Sequence, residues 1–360
     1  MSSNTFKNLM LEFYNEFQSG LKGGRFFQSL FTNEFVSNTE KVEIDVQRSI
    51  RLIANDVARG SGAGNTNYAS VFTNKEYTPP LYWEETPVSA AMLNKRLPGQ
   101  DPYSDTSRME AMAYYFAQAQ SFNAQKIINA IERMAVQAVT TGIITLRNQV
   151  NIDFDKKTTL DLTPSVKWDQ PTANVEGDII EICKRIYQAG KRKPNTIIMD
   201  ALTWNLFLTR FLSKYNNSPD FIQPGRFQQG EIMEGASFQG QYNFNGYRLD
   251  IYVADDFYET PGALITDATT KVEYMPAYTV IVMDRTARLT KGFAATEILP
   301  QFESDYYAQG LPIPSEFSVA AFTPFAYPKP PSVWMAGVQS APLVMPTAID
   351  TIGTIVSLNT

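Results

Sequence analysis

Val42-Glu43-Ile44-Asp45-Val46-Gln47, then Arg59-Gly60-Ser61-Gly62-Ala63-Gly64-Asn65, then Tyr77-Thr78-Pro79-Pro80-Leu81-Tyr82, then a helical run from Ser107 to Gly142: this ordered stretch decides the fold. Val42, Ile44 and Val46 alternate with polar neighbours at the period of a half-buried strand, and Ile50 and Leu52 keep the same parity. The glycines at 60, 62 and 64 break the run and offer nothing to pack. Pro79 and Pro80 hold the returning chain extended and bar it from a central strand. The result reads as a long projecting hairpin. A two-stranded hairpin is marginal in water, so an arm of this length needs a surface beyond its own base. The bland alternative is a floppy surface loop.

The helical run forms a spine behind this arm. Ser107 and Glu110 have capping-box spacing, Met109, Met112, Phe116, Ile127, Ile131, Met134 and Ala138 recur at helical intervals, and Gly142 supplies a stop. Such a helix runs about 50 Å at 1.5 Å per residue. Its middle, Gln118 to Lys126, is polar apart from Phe122 and small alanines, so that part is expected to lie across a sheet or a neighbour.

Composition narrows the function. A chain of 360 residues is long for one core, and two or three compact regions are expected. It has no apolar run long enough to span a membrane and no signal-peptide pattern at its start, so a soluble protein made in the cytosol is expected. Histidine is absent, which excludes histidine-served serine or cysteine nucleophiles and histidine-containing zinc sites. Cys183 is the single cysteine and reads as a packed thiol. Carboxylate chemistry survives that test, with Glu84 and Glu85, Asp255 and Asp256, and Asp101 and Asp105 as candidates. Adjacent carboxylates point apart on a strand, and each pair sits near proline or in turn-like sequence, so solvated charge is the default. The net charge of −6 has the wrong sign for gripping nucleic acid. The cluster Lys184, Arg185, Lys191, Arg192 and Lys193 lies near the end of an expected helix, where cations favour the dipole.

The remaining chain alternates helices and strands. Phe6, Leu9, Met10, Phe13 and Phe17 share one helical face, and Phe26, Phe27, Leu30 and Phe31 cluster beyond Gly23-Gly24; both groups want a partner surface or their own domain's core. Thr145 to Leu162 reads as short strands with a turn at Lys156-Lys157. After Pro171, Ile179, Ile182, Cys183, Ile186 and Tyr187 mark a helix, Asn195 to Met199 a buried strand, and Asp200 caps a helix bearing Trp204, Phe207, Leu208, Phe211 and Leu212. Asn245-Gly246 between alternating strands selects a type I′ hairpin. Tyr274 to Met283 is a strand broken at Pro276, and the proline-dense tail, with Phe317, Val319 and Ala321 and then Val333 to Leu343, reads as strands that rejoin a sheet.

Thr39-Glu40-Lys41-Val42, Tyr77 to Tyr82, Lys95-Arg96-Leu97-Pro98 with Asp101-Pro102, Ile197-Ile198-Met199-Asp200 with Trp204, the Tyr242 to Val253 hairpin and Gln339-Ser340-Ala341-Pro342-Leu343 occur in an order that resembles the major capsid proteins of lambda-like tailed bacteriophages, the coat protein E family. The resemblance covers nearly the whole chain; register is lost at the proline run Tyr327 to Pro331. It implies an α+β fold of the Hong Kong ninety-seven type, divided into an N-terminal arm (1–40), an E-loop (41–86), a peripheral domain (87–174) with a spine helix (about 107–141), an axial domain (175–306) and C-terminal strands returning to the peripheral domain (307–360).

The function so implied is an icosahedral head shell enclosing double-stranded DNA in a virion, assembled in the host cytoplasm, with no catalytic role, cofactor or metal. Its partners would be other copies in hexamers and pentamers, a scaffold, a portal at one vertex and a decoration protein, with the DNA enclosed but not specifically bound and no membrane involved. The contact residues would be Arg59, Gly60, Ser61, Gly62, Gly64 and Asn65 at the E-loop tip and Phe6, Phe13, Phe17, Phe26 and Phe27 in the arm. Lys75 and Asn65 are the candidates for the lysine–asparagine crosslink of a related branch, and no such bond is predicted. Rival readings are an encapsulin-like nanocompartment shell, a tail or decoration component, and a carboxylate-dependent hydrolase.

Overall fold

The computed structural model describes residues 25–47, 72–93, 108–146, 151–215, 235–260, 270–296, 322–330 and 333–358. In chain order, its strands are β1 (Asn33–Val36), β2 (Val42–Gln47), β3 (Phe72–Tyr77), β4 (Tyr82–Ser89), β5 (Ile143–Thr145), β6 (Asn151–Asp153), β7 (Asp161–Leu162), β8 (Thr196–Asp200), β9 (Ala236–Phe244), β10 (Tyr247–Ala254), β11 (Phe257–Thr260), β12 (Thr270–Glu273), β13 (Thr279–Met283), β14 (Thr290–Phe293), β15 (Thr323–Lys329), β16 (Val333–Ser340), β17 (Pro342–Met345) and β18 (Ile352–Val356). The main helices are the spine, Arg108–Thr140, and the pair Val175–Gly190 and Ala201–Tyr215.

The expected spine is a 33-residue helix, about 50 Å long. Ile127, Ile131, Met134, Ala135 and Ala138, at helical spacing, are buried in the larger of the chain's cores. The helix stops where Gly142 adopts a φ of +72°, which a side chain rarely tolerates. Buried Lys156 then reaches back to the terminal carbonyl of Thr140 (2.6 Å), and also contacts Asp161 (2.7 Å) and Thr354 (3.1 Å).

The polar middle of the spine crosses a sheet, as its composition suggested. That sheet has the order β15-β16-β4, all antiparallel. Val88 and Ala336 pack on Phe116 and Ala119. Beside them, fully buried Asn123 donates to the carbonyl of Ala336 (3.0 Å) and accepts from the Thr86 hydroxyl (2.9 Å), so the polar residue is satisfied. Pro79 and Pro80 fall between β3 and β4, and β4 is an edge strand, as the prolines required.

A six-stranded sheet, β7-β18-β13-β8-β10-β9, forms the second layer. Its central strands β8 and β13 are buried at every residue, which explains their unbroken apolar sequences Thr196-Ile197-Ile198-Met199 and Thr279-Val280-Ile281-Val282-Met283. Ile197, Met199, Val280 and Val282 pack toward Ile179, Ile182 and Ile186 of the helix Val175–Gly190, whereas Ile198, Ile281 and Met283 belong to the core shared with the spine. Asp200 caps the next helix through the Thr203 N–H (3.2 Å), and its other oxygen accepts the Thr279 N–H (3.2 Å). The β9–β10 hairpin turns at Asn245 (φ +48°) and Gly246 (φ +88°), the type I′ conformation the dipeptide selects.

β18, near the last described residue, lies inside the six-stranded sheet between β13 and β7. Leu160, Leu162 and Trp168, which precede residue 175, pack in the same core as the helix Val175–Gly190. The physical reason is that β13 would otherwise present an open apolar edge, which β18 covers with five paired residues.

Candidate subunit-contact surfaces

The base of the arm is well built. β2 and β3 pair antiparallel from Val42 with Tyr77 to Gln47 with Phe72, and among the described residues this ribbon pairs with no other strand. It is pinned to its own subunit where it leaves the body. Val42 is buried in the main core, the Tyr77 ring lies 5.3 Å from that of Phe154, and the Tyr77 hydroxyl donates to the Asp153 carbonyl (3.2 Å). Lys75 forms an ion pair with Asp155, and that hydrogen bond chiefly holds its ammonium above the usual lysine range. Lys75 is thereby paired within its own subunit. Asn65 and the whole tip, Arg59, Gly60, Ser61, Gly62, Gly64 and Asn65, lie outside the described residues, as do Phe6, Phe13 and Phe17.

Phe26 and Phe27 require a correction. They are 1% and 2% exposed, buried in their own subunit's core instead of being offered to a neighbour. They begin the short helix Phe26–Ser29, which docks on the spine. The carboxylate of Glu132, itself 1% exposed, accepts the backbone N–H groups of Phe27 (2.8 Å) and Gln28 (3.0 Å), and the Gln28 side chain donates to the Ile128 carbonyl (2.7 Å). Arg25 pairs with Asp256 at 2.6 Å and lies 5.5 Å from the centroid of the Tyr274 ring. Burial pushes the Glu132 carboxyl up to about 7 despite its two N–H donors and the nearby Arg25. Sequence reading missed this clasp, and the only available signal was an acidic residue interrupting the spine's apolar stripe.

Three of the candidate carboxylates, Glu84, Glu85 and Asp256, are engaged with other side chains. Glu84 and Glu85 are consecutive on β4, so they diverge: Glu84 pairs with Lys126 (3.1 Å) and Glu85 accepts from the Tyr327 hydroxyl (2.8 Å). Asp256 holds Arg25, while Asp101 and Asp105 lie outside the described residues. The basic cluster is also used locally. Arg185 pairs with Glu181, Lys191 caps its helix in the left-handed conformation (φ +58°), Arg192 reaches Asp284 (3.3 Å) and Lys193 lies over the Tyr247 ring. Cys183 is buried, and burial pushes its thiol up to about 12, which makes it inert. Among the described residues no group of three or more Cys, Asp or Glu is arranged to hold a metal ion, and no helix is long and apolar enough to cross a membrane.

What remains unpartnered is apolar surface. Trp83 is 47% exposed on the β4 face away from the spine, where it meets the edge of the Phe325 ring, and Phe122 is 57% exposed on the spine itself. Leu81, Tyr114 and Phe257 add to this set. A long helix laid across one sheet, a second sheet with two helices and a separate two-stranded ribbon are the described architecture of a structural subunit with no assembled catalytic cluster among the described residues.

The chain belongs to the phage major capsid protein E family, whose model matches residues 23–356. Among solved structures it is similar to one described as the capsid protein of a prophage from E. coli CFT073, at 17% identity over 97% of this chain and 98% of that one, with a TM-score of 0.64. It is more distantly similar to a phage-related protein from Bordetella bronchiseptica RB50, at 10% identity over 95% and 96% of the two chains, with a TM-score of 0.47. A Microbacterium phage Oxtober96 chain matches at 10% identity over 92% and 90%, also with a TM-score of 0.47. No curated protein matches. The fold is the α+β capsid fold of Hong Kong ninety-seven type, and the protein is a major capsid protein of the head shell, as the resemblance implied.

Proposed function

We propose that this capsid subunit closes into icosahedral shells of hexamers and pentamers around double-stranded DNA, with the β2–β3 ribbon as the E-loop that lies over an adjacent copy. The observation that carries this reading is the ribbon itself. Among the described residues it pairs with no third strand, and an isolated two-stranded ribbon gains too little from its own contacts to stay ordered far from its base. A second copy supplies the missing surface.

In this reading Arg59 to Asn65 make contacts at the tip, and Phe6, Phe13 and Phe17 make them from the N-terminal segment. The spine with its β15-β16-β4 sheet forms the peripheral region, and the six-stranded sheet with its helices forms the axial region. The net charge of −6 suits a wall that encloses nucleic acid without gripping it. Function then resides in interfaces and not in catalysis, with assembly in the host cytoplasm on a scaffold and portal, and a decoration protein as an outer partner.

Electron microscopy of the purified protein tests this directly. Closed shells with hexameric and pentameric clusters are the expected result. A lone monomer at high concentration, or small oligomers with open symmetry, would refute it.

A further inference from the structure

One end of the six-stranded sheet is basic. β10 runs parallel and β13 antiparallel to β8, so the loop before β8, the start of β10 and the loop after β13 meet at that end. Asn195 ties them together: its N–H donates to the Met283 carbonyl (3.1 Å), its carbonyl accepts the Asp250 N–H (2.8 Å), and its side-chain oxygen accepts the Arg285 N–H (2.8 Å). Lys191, Arg192, Lys193, Arg248 and Arg288 gather there, and all but half-buried Lys191 are exposed. Local tasks use only part of this charge. Lys191 sits at the C-terminus of the helix Val175–Gly190, where the dipole favours a cation, and Arg192 pairs with buried Asp284 (3.3 Å). Asp250 accepts from the Gln241 amide. Arg248 and Arg288 pair with no carboxylate among the described residues.

The other end of the sheet is acidic. It carries Asp255 directly after β10, Glu176 and Asp178 in the first turn of the helix Val175–Gly190, and Asp169, held close because the Trp168 N–H donates to the Ser357 carbonyl (3.2 Å). Asp169 and Asp255 are exposed. Of the cations nearby, Arg25 pairs with Asp256 and Arg210 donates to the Trp168 carbonyl (3.1 Å), with half-buried Lys167 beside them. The five residues of β8 separate the two ends by about 17 Å.

We infer, resting on the proposed shell assembly, that the basic end of one copy meets the acidic end of the next, head to tail around each ring. A chain with a net charge of −6 and a basic end holds its surplus acid elsewhere, so a second copy supplies the complement, and an approach of like ends is repelled. A contact between two different surfaces is heterologous, the kind that closes rings from one type of subunit. Nucleic acid is the poorer match, because it would meet these cations on a subunit that repels it as a whole. Exposed ion pairs are individually weak, so the two ends chiefly set the orientation of approach.

The test reverses each end on the full chain, using exposed residues: Arg248→Glu with Arg288→Glu at the basic end, and Asp169→Lys with Asp255→Lys at the acidic end. Both double variants are expected to keep the parent's thermal midpoint, and each alone to lose shell yield by about tenfold or more, since like charges then face each other. Mixed in equal amounts, they are expected to regain hexameric clusters by electron microscopy, because alternating copies restore every contact. Pentamers are expected to stay scarce in the mixture, since an odd ring keeps one like-charged contact. The chain carrying all four changes is expected to form both. Parental yield from either double variant would overturn the inference, as would a mixture and a fourfold variant that assemble no better than the double variants. Shells of the arginine variant formed at parental yield but with less nucleic acid would also overturn it and assign the basic end to DNA. A parent chain that never assembles is a separate result, which refutes the shell reading before any variant is made.

Discussion

Glu132 in the C-terminal third of the spine helix accepts the backbone N–H of Phe27 at 2.8 Å, with both residues almost wholly removed from solvent. A single carboxylate thereby joins the start of the body to its longest helix, across 105 positions of sequence. The same oxygens face the positive Arg25 and, beyond it, the negative Asp256.

This clasp makes docking of the helix Phe26–Ser29 depend on pH. The docked state holds the Glu132 proton up to about 7, whereas an exposed glutamate releases it near 4.5. Docking is therefore favoured most fully below about 4.5, and the advantage is lost as pH rises through about 7, with a total on the order of a few kcal/mol. Hydrogen exchange of a peptide covering residues 26–31, corrected for intrinsic rates, is expected to accelerate as pH rises through that window. Glu132→Gln is expected to flatten the response, and an unchanged slope in that variant would assign it to another group.

Asn123 buries an amide that serves both Thr86 and Ala336. Asn123→Ala leaves a buried carbonyl and hydroxyl without that partner, at a cost of about 1–3 kcal/mol. Urea unfolding of unassembled subunits is expected to show the midpoint falling with little change in slope.

Gly337 leaves room for the Phe325 ring on the outer sheet face. A Cβ there would stand 2.2 Å from Phe325 Cζ and 2.8 Å from the Glu84 carbonyl oxygen, so Gly337→Ala displaces both ring and strand. The expected loss is about 1–3 kcal/mol. Adding Phe325→Leu relieves only the ring clash, so thermal unfolding of the double variant is expected to recover part of the loss beyond additivity.

Deleting Arg59 to Asn65 removes the glycine-rich tip and none of the pairs between β2 and β3. The expected outcome is a folded subunit with the parent's unfolding midpoint, but with reduced shell yield or heat resistance by microscopy and light scattering. Shells formed at parental yield and stability would refute the tip's role in contacts.

Local patterns were legible wherever the physics is local. The alternation at Val42 to Gln47, the helical spacing from Met112 to Ala138, the Asn245-Gly246 turn and the Asp200 cap each depend on residues a few positions apart, and each appears in the structure. The aromatic cluster at Phe26 and Phe27 shows where such reading stops. Its apolar character was plain, but whether it met a neighbour or its own core depended on Glu132 and Ile128, about a hundred positions away. The same holds for β18, whose place between β13 and β7 is set by an edge needing cover.

By itself the sequence determined that a projecting hairpin precedes a long helix, that histidine chemistry is absent, and that the order of motifs matches a family of shell proteins. Only the tertiary structure decided that Lys75 pairs with Asp155, that Phe26 and Phe27 lie inside, and that Glu84 and Glu85 go to separate partners. Periodicity reports which face of an element is apolar. Which surface that face meets is settled by contacts distant along the chain, where burial and charge pairing have to be satisfied together.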